Sequence, residues 1–220
     1  MALAIFDLDN TLLAGDSDFL WGQFLVKKGL VDKRNYEQEN QRYYDEYKAG
    51  NLDIYEFLAF SLKPLTMHSK CLLEDLREEF IREEIKSILL PKAFALIEEH
   101  SNKGDVLMII TATNRFITAP IAKEFGIDNL LATEPEIINN QYTGQVKGVP
   151  CFQQGKVTRL NEWLQQTGHH LQNSWFYSDS HNDIPLLEQV SYPVAVDPDE
   201  KLSQYATQHG WKIMHLHSET

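Results

Sequence analysis

Asp7-Leu8-Asp9-Asn10-Thr11 sets two carboxylates two residues apart, where extended backbone points both the same way. Two acids so placed repel each other unless a cation sits between them. The pattern suits a nucleophile or metal ligand at Asp7 beside a general acid/base at Asp9. An acidic turn ahead of a helix has the same composition. A second concentration of acids is Ser178-Asp179-Ser180-His181-Asn182-Asp183. Asp179 and Asp183 could converge on one hard cation, and oxygen-only ligands suit Mg²⁺. Asp183 would serve equally as a first-turn helix acid before Ile184-Pro185-Leu186-Leu187. His181 reads as a neighbour of the acids rather than a ligand. His215 and His217 read as surface residues. In Thr111-Ala112-Thr113-Asn114, hydroxyls ahead of a helix can hold a phosphate oxygen together with backbone N–H groups, or simply cap the helix. Gly155-Lys156 opens another helical stretch, and a lysine there can reach a phosphoryl group as a point charge.

These clusters need rigid elements to bring them together. Leu3–Phe6 is an apolar run that stops at the first acids, as a buried strand would. Val106–Ile110 ends at Thr111 in the same way, and Ser174–Tyr177 ends at Ser178 and Asp179. Pro193–Val196 and a weaker run at 211–215 complete the set. Helical spacing separates them at Pro91–Ser101, Phe116–Phe125 and Val157–Gln166. Alternation of strands and helices predicts an α/β fold with a mostly parallel sheet, and ligands in such folds bind outside the carboxyl ends of the strands. The segment 16–90 lacks buried-strand patterns and is rich in aromatics. Phe19–Leu30 and Leu72–Leu89 fit helices, the latter with Leu72, Leu73, Leu76, Phe80, Ile81 and Ile85 along one face. The prediction is an all-helical subdomain over 16–90 inserted into a core made of 1–15 and 91–220. Thr143–Val149, with its two glycines, predicts a small hairpin.

Composition bounds the partners. The chain has 220 residues, 32 acidic against 20 basic side chains, and a net charge of -12. Nucleic acid and anionic membranes are recognised by clustered Lys and Arg, so neither is expected as a partner. No stretch approaches the roughly 20 apolar residues that span a bilayer. Cys71 and Cys151 show no motif spacing, and the start of the chain lacks a basic leader, so a cytoplasmic protein is expected. Monomer and dimer are both compatible with the sequence.

Acid pair, hydroxyl, lysine and acid pair recur in that order along the whole chain, and together they resemble the haloacid dehalogenase-like phosphohydrolase superfamily. Asp7–Thr11 is similar to its first motif, Thr111 to its second, Lys156 to its third, and Asp179 with Asp183 to its fourth. The helical insertion after the first motif resembles the phosphoserine phosphatase-like subfamily. The resemblance implies a Rossmann-like three-layer core with an inserted helical cap. It implies Asp7 as the nucleophile forming a phospho-aspartyl intermediate, Asp9 as the acid/base, and Thr111 and Lys156 on the phosphoryl oxygens. It implies Mg²⁺ held by Asp7, the main-chain carbonyl of Asp9, Asp179 and Asp183. Ala112 and Asn182 would contact the phosphate, and the substrate would be a small phosphorylated metabolite. In the subfamily an acid shortly after the first motif meets a substrate ammonium, and Asp16 or Asp18 stands there. The subfamily's cap arginine for a substrate carboxylate is missing: Ser61 aligns at its place, and no arginine occurs between Arg42 and Arg77. The expectation is therefore an amino-alcohol phosphate, histidinol phosphate above phosphoserine, with the aromatics either packing the cap or stacking on the substrate. A receiver-type phospho-aspartate switch combines similar residues, but it needs neither Asp9 nor a cap.

Overall fold

The structure, a computed structural model, describes residues 2–217. In chain order the first half comprises β1 (Leu3–Phe6), α1 (Ser17–Lys27), α2 (Lys33–Ala49), α3 (Ile54–Ser61), α4 (Lys70–Phe80), α5 (Pro91–Asn102) and β2 (Val106–Asn114). The second half comprises α6 (Arg115–Glu124), β3 (Asn129–Thr133), β4 (Pro135–Ile138), β5 (Gln141–Val146), α7 (Gln154–Thr167), β6 (Trp175–Ser178), α8 (Ile184–Leu187), β7 (Tyr192–Val196), α9 (Glu200–His209) and β8 (Lys212–Met214).

Every residue of β1 is apolar and buried, which requires partners on both edges and layers on both faces. β1 lies inside a six-stranded sheet of order β3-β2-β1-β6-β7-β8, and all five pairings are parallel. Side chains alternate between the faces as the pleat demands. Leu3 and Ile5, with Met108, Ile110 and Phe176, pack against Val157 and Leu160 of α7, Leu186 of α8 and Leu202 of α9. Ala4 and Phe6, with Ile109 and Tyr177, pack against Ala93 and Leu96 of α5 and Ile117 of α6. The result is the α/β core that the strand–helix alternation predicts, in the three layers that the family resemblance implies. After β1 the chain builds outward through β2 and β3, then returns to the other side of β1 and builds through β6, β7 and β8. The carboxyl end of β1 is thus the topological switch point, where a crevice opens.

The helical insertion stands above that end. Its two connections to the core run side by side: Ala14 donates to the Ile88 carbonyl at 2.8 Å, Leu90 donates to the Leu12 carbonyl at 3.3 Å, and Leu13 bridges Leu89. Trp21 and Phe24 of α1 stack on each other and meet Phe80 of α4 edge-on inside the insertion. Among the described residues no helix is long and apolar enough to cross a membrane.

Several local expectations are corrected. Helix α2, 17 residues long, has no clear apolar stripe and is legible only from its ends, Asp32 capping the N-terminus and Gly50 in the left-handed region closing it. The 72–89 stretch is not one helix. α4 stops at Phe80, and a π-helical turn over Ile81–Ile85 and a 3₁₀ turn over Lys86–Ile88 follow. Leu72 is exposed rather than on the packed face. The hairpin is β4–β5, earlier than the glycine-based expectation, because Asn139 and Asn140, at φ 50° and 61°, supply the left-handed turn. β2 runs beyond Thr111 to Asn114, with a register slip against β3 after Ile110, so Thr111 lies within the strand. β3 and α9 went unread in the sequence.

Candidate active site

Asp7 is the first residue past β1, and its N–H still donates to Tyr177 of β6 at 2.9 Å. That bond carries the sheet ladder one step further and fixes the carboxylate at the switch point. Its Oδ1 accepts from Lys156 Nζ at 2.8 Å. Lys156, in the first turn of α7, also donates to Asp183 Oδ2 at 2.7 Å, and all three side chains are buried. Burial pushes the Asp7 carboxyl up to about 7 against the pull of Lys156, and the charge of Asp183 adds to the rise. For Lys156 burial alone would favour the neutral amine. The charges of Asp183 and Asp7 outweigh it and hold the ammonium well above its ordinary range. Ser178 Oγ gives Asp183 Oδ2 a second donor at 2.7 Å.

The other oxygen of Asp7 faces a hydroxyl rather than an ammonium. Thr11 Oγ1 stands 3.5 Å from Asp7 Oδ2 and donates to Asp179 Oδ1 at 2.9 Å. Asp179 N–H donates back to Thr11 Oγ1 at 3.1 Å. Burial, then the charge of Asp7, raises Asp179 well above the usual carboxylate range. Among the described residues no three His, Cys, Asp or Glu side chains gather into a metal cage. A magnesium ion does not need one, because it is held through one or two carboxylates, waters and substrate phosphate. Asp7 and Asp179, both oxygen donors and both destabilised by each other's charge, fit that requirement. Asp183 Oδ2 is engaged by Lys156 and Ser178, and its charge acts on both Asp7 and Asp179.

Asp9 turns the other way. Its Oδ1 accepts from Ser17 N–H at 2.6 Å, and its Oδ2 accepts from Thr113 Oγ1 at 2.8 Å and Thr111 Oγ1 at 3.4 Å. Burial, then the charge of Asp16, raises its carboxyl to about 6. A carboxyl that changes protonation near neutral pH is matched to acid/base work. Asp16 caps α1, accepting from Asp18 N–H at 3.0 Å and Phe19 N–H at 2.9 Å. Asp18 accepts from Asn114 Nδ2 at 3.3 Å. Burial raises Asp16, and burial with the charges of Asp16 and Asp9 raises Asp18 well above the usual range.

Asp7, Asp9, Asp16, Asp18, Thr111 and Ala112 line one cavity. Phe19, Tyr43, Tyr44, Tyr47, Phe57 and Phe152 wall it. No lysine, arginine or histidine is among its lining residues. The aromatics of the insertion therefore divide: Trp21, Phe24 and Phe80 pack inside it, and five others reach the cavity. Ser61, the position aligned with the missing arginine, is buried in α3 outside the lining, where Ile54 and Phe57 face the cavity instead.

Asn182 lies outside the lining as well. Its Nδ2 donates to the Tyr47 carbonyl at 3.2 Å and its Oδ1 accepts from Gln153 Nε2 at 2.9 Å, so it joins the core to α2. His181 is held by Asp199, Nδ1 to Oδ2 at 2.7 Å, and lies away from the carboxylates' shared space. His215 pairs with Asp197 at 2.8 Å. His217 Nε2 stands 2.8 Å from the Asn10 carbonyl, a tie to the first-motif loop that a plain surface residue would not make. The sequence does not show that Thr11, Thr113 and Ser178 donate to Asp179, Asp9 and Asp183. The signal available is that Thr113 and Ser178 stand at or next to a strand end and Thr11 in the loop after β1, where a hydroxyl lies beside the crevice.

Residues 4–188 match the haloacid dehalogenase-like hydrolase family. The chain is 45% identical over 218 residues to a histidinol-phosphatase of Neisseria meningitidis serogroup C (strain 8013), covering 97% of this chain and 98% of that one. It is 29% identical over 215 residues to a phosphoserine phosphatase of Mycobacterium tuberculosis (strain ATCC 25618 / H37Rv), covering 96% of this chain and 70% of the relative. A crystal structure of a protein of unknown function from Bordetella pertussis Tohama I superposes with a TM-score of 0.92 at 41% identity, covering 98% of both chains. A substrate-bound phosphoserine phosphatase superposes at 0.70 with 19% identity, covering 92% of this chain and 89% of that one, a likeness of fold. With its parallel sheet, its helical insertion and its buried acids at the switch point, the chain belongs to the haloacid dehalogenase-like hydrolases.

Proposed function

We propose that this hydrolase is a Mg²⁺-dependent phosphomonoesterase acting on a small amino-alcohol phosphate, histidinol phosphate before others. The observation that carries the reading is the cavity: acids and aromatic rings with no basic side chain in its lining, opening directly onto Asp7. The histidinol-phosphatase relative at 45% identity supports the same substrate. A ligand ammonium would relieve Asp16 and Asp18, and an imidazole would stack on the rings. The carboxylate of phosphoserine would meet no cation there.

In this reading Asp7 attacks phosphorus, forming an Oδ–P bond as the bond from phosphorus to the substrate oxygen breaks. Asp9 gives its proton to the leaving alkoxide. It then takes a proton from water, whose oxygen attacks the phospho-aspartate and frees Asp7. Thr111 and Lys156 hold the phosphoryl oxygens. Asp7, the carbonyl of Asp9 and Asp179 would hold Mg²⁺, which when bound screens the approach of a carboxylate to a phosphate dianion. Asp183 acts behind Lys156, keeping it aimed at Asp7. The core is residues 1–15 and 91–220, and the cap is 16–90.

Chelation tests the metal assignment with two readouts. EDTA is expected to lower phosphate release about 10³-fold or more, restored by Mg²⁺. Mg²⁺ is also expected to raise the melting temperature, because it binds only the folded state. The sign of the pH effect follows from the raised carboxyls. Asp7, raised to about 7, and Asp179, raised well above the ordinary 3.8, hold protons as pH falls that the cation must displace. The Mg²⁺-induced rise should therefore be larger at pH 8 than at pH 5.5. Activity and melting temperature that ignore chelation would remove the metal from the account.

A further inference from the structure

The loop that leads into α7 is wound tightly. A Cβ at Gly155 would lie 2.0 Å from the Pro150 carbonyl oxygen. Two residues earlier the backbone at Gln153 takes φ 46° and ψ -119°. That region is open to glycine and strained for a residue with a Cβ. The chain nevertheless carries a long amide there, and its Nε2 donates to Asn182 Oδ1 at 2.9 Å. Strain that the surroundings enforce at a site points to a use for the side chain.

The use is visible one bond further on. An amide has an accepting end and a donating end, so fixing its oxygen fixes where its NH₂ points. With Oδ1 occupied by Gln153, the buried Asn182 turns Nδ2 to the Tyr47 carbonyl and to Ser180 Oγ, both at 3.2 Å. Tyr47 is in the last turn of α2, and its ring lines the cavity with its centroid 6.1 Å from that of Phe152. The rest of the α2 terminus is received by the core in the same manner. Lys201 Nζ donates to the Ala49 carbonyl at 2.7 Å. The His181 ring, held by Asp199, comes so close that a Cβ on Gly50 would lie 2.6 Å from Nε2. The carbonyls of a helix C-terminus face outward, and here Asn182 joins the Gly50 N–H on that of Tyr47 while Lys201 meets that of Ala49.

We propose that Gln153 is a positioning residue: it sets the Asn182 amide, which docks Tyr47 and the end of α2 over Asp7 and so holds the cavity in its working shape. The proposal rests on the hydrolase reading but not on which leaving group is preferred.

The test uses the full chain with Mg²⁺, measuring phosphate release from histidinol phosphate and from p-nitrophenyl phosphate. The second substrate keeps the test separate from the leaving-group assignment. Gln153→Gly removes the side chain while relieving the backbone. It should melt at or above the wild-type temperature yet lose about tenfold or more in kcat/KM on each substrate that the wild type turns over. Gln153→Glu keeps the length but turns an oxygen toward Asn182 Oδ1, and should lose as much. The Gln153→Gly/Asn182→Ala double variant should be no worse than Asn182→Ala alone, within about twofold, because both act through one amide. Wild-type kcat/KM in Gln153→Gly would overturn the proposal. So would a loss that accompanies a lower melting temperature, or single losses that multiply in the double variant.

Discussion

Asp7→Asn should reduce phosphate release by at least ~10⁴-fold while leaving a folded protein. The substitution keeps the shape of the side chain and its oxygen toward Lys156, which now stands 2.8 Å from Oδ1. It removes the one oxyanion placed at the switch point with an ammonium on one side and a carboxylate across from it. It also removes a charge that burial disfavours, since Asp7 is driven up to about 7 in place. The stability change should stay within about 2 kcal/mol, the offset between a lost charged hydrogen bond and relieved repulsion from Asp179 and Asp183. Circular dichroism and thermal melting check the fold, and a single-turnover assay checks the chemistry. Substantial turnover in a well-folded Asp7→Asn variant would sink the covalent mechanism, because no other carboxylate occupies that position.

Lys156→Met should damage both stability and activity. Its ammonium stands 2.8 Å from Asp7 Oδ1 and 2.7 Å from Asp183 Oδ2, both buried carboxylates. Removing one member of a buried charged network and leaving the rest costs about 3–5 kcal/mol. Methionine fills similar space, so packing loss contributes little. The pH dependence gives the diagnosis. Without the ammonium, Asp7, which burial already raises to about 7, is more reluctant still to ionise, so its folded-state value lies further above the unfolded one. The folded state then binds more protons than the unfolded state over that window, and stability increases as pH falls through it. The variant should therefore recover much of its deficit between pH 8 and pH 5.5, and the wild type should recover less. A deficit that is the same at both pH values would mean that packing, not charge, is what Lys156 supplies.

The motifs were legible in the sequence because the sheet leaves a strong trace. Leu3–Phe6 and Val106–Ile110 are apolar without interruption, as strands buried on both faces must be, and the acids and hydroxyls begin where they stop. The polar residues that aim those groups were less legible. Thr11 meets Asp179 across 168 positions of sequence, and Thr113 meets Asp9 across 104. No local pattern reports such pairs. Helix α2 was missed for a related reason: its face toward the cavity is lined by Asn40, Tyr43, Tyr44 and Tyr47, which break the apolar stripe that marks a packed helix. A helix that walls a polar cavity is amphipathic toward the wrong solvent. Asn182 was expected at the phosphate and is found gripping α2, which only the three-dimensional arrangement of the 153 loop reveals.

An acidic, aromatic cavity with no basic side chain in its lining should select a cationic alcohol phosphate. The most direct measurement is kcat/KM for histidinol phosphate, phosphoserine and phosphoethanolamine on the wild-type protein with saturating Mg²⁺. Histidinol phosphate should exceed phosphoserine by about 10²-fold or more, because the extra carboxylate would be buried beside Asp16 and Asp18 unpaired, with phosphoethanolamine falling between them. A kcat/KM for phosphoserine equal to or above that for histidinol phosphate would contradict it.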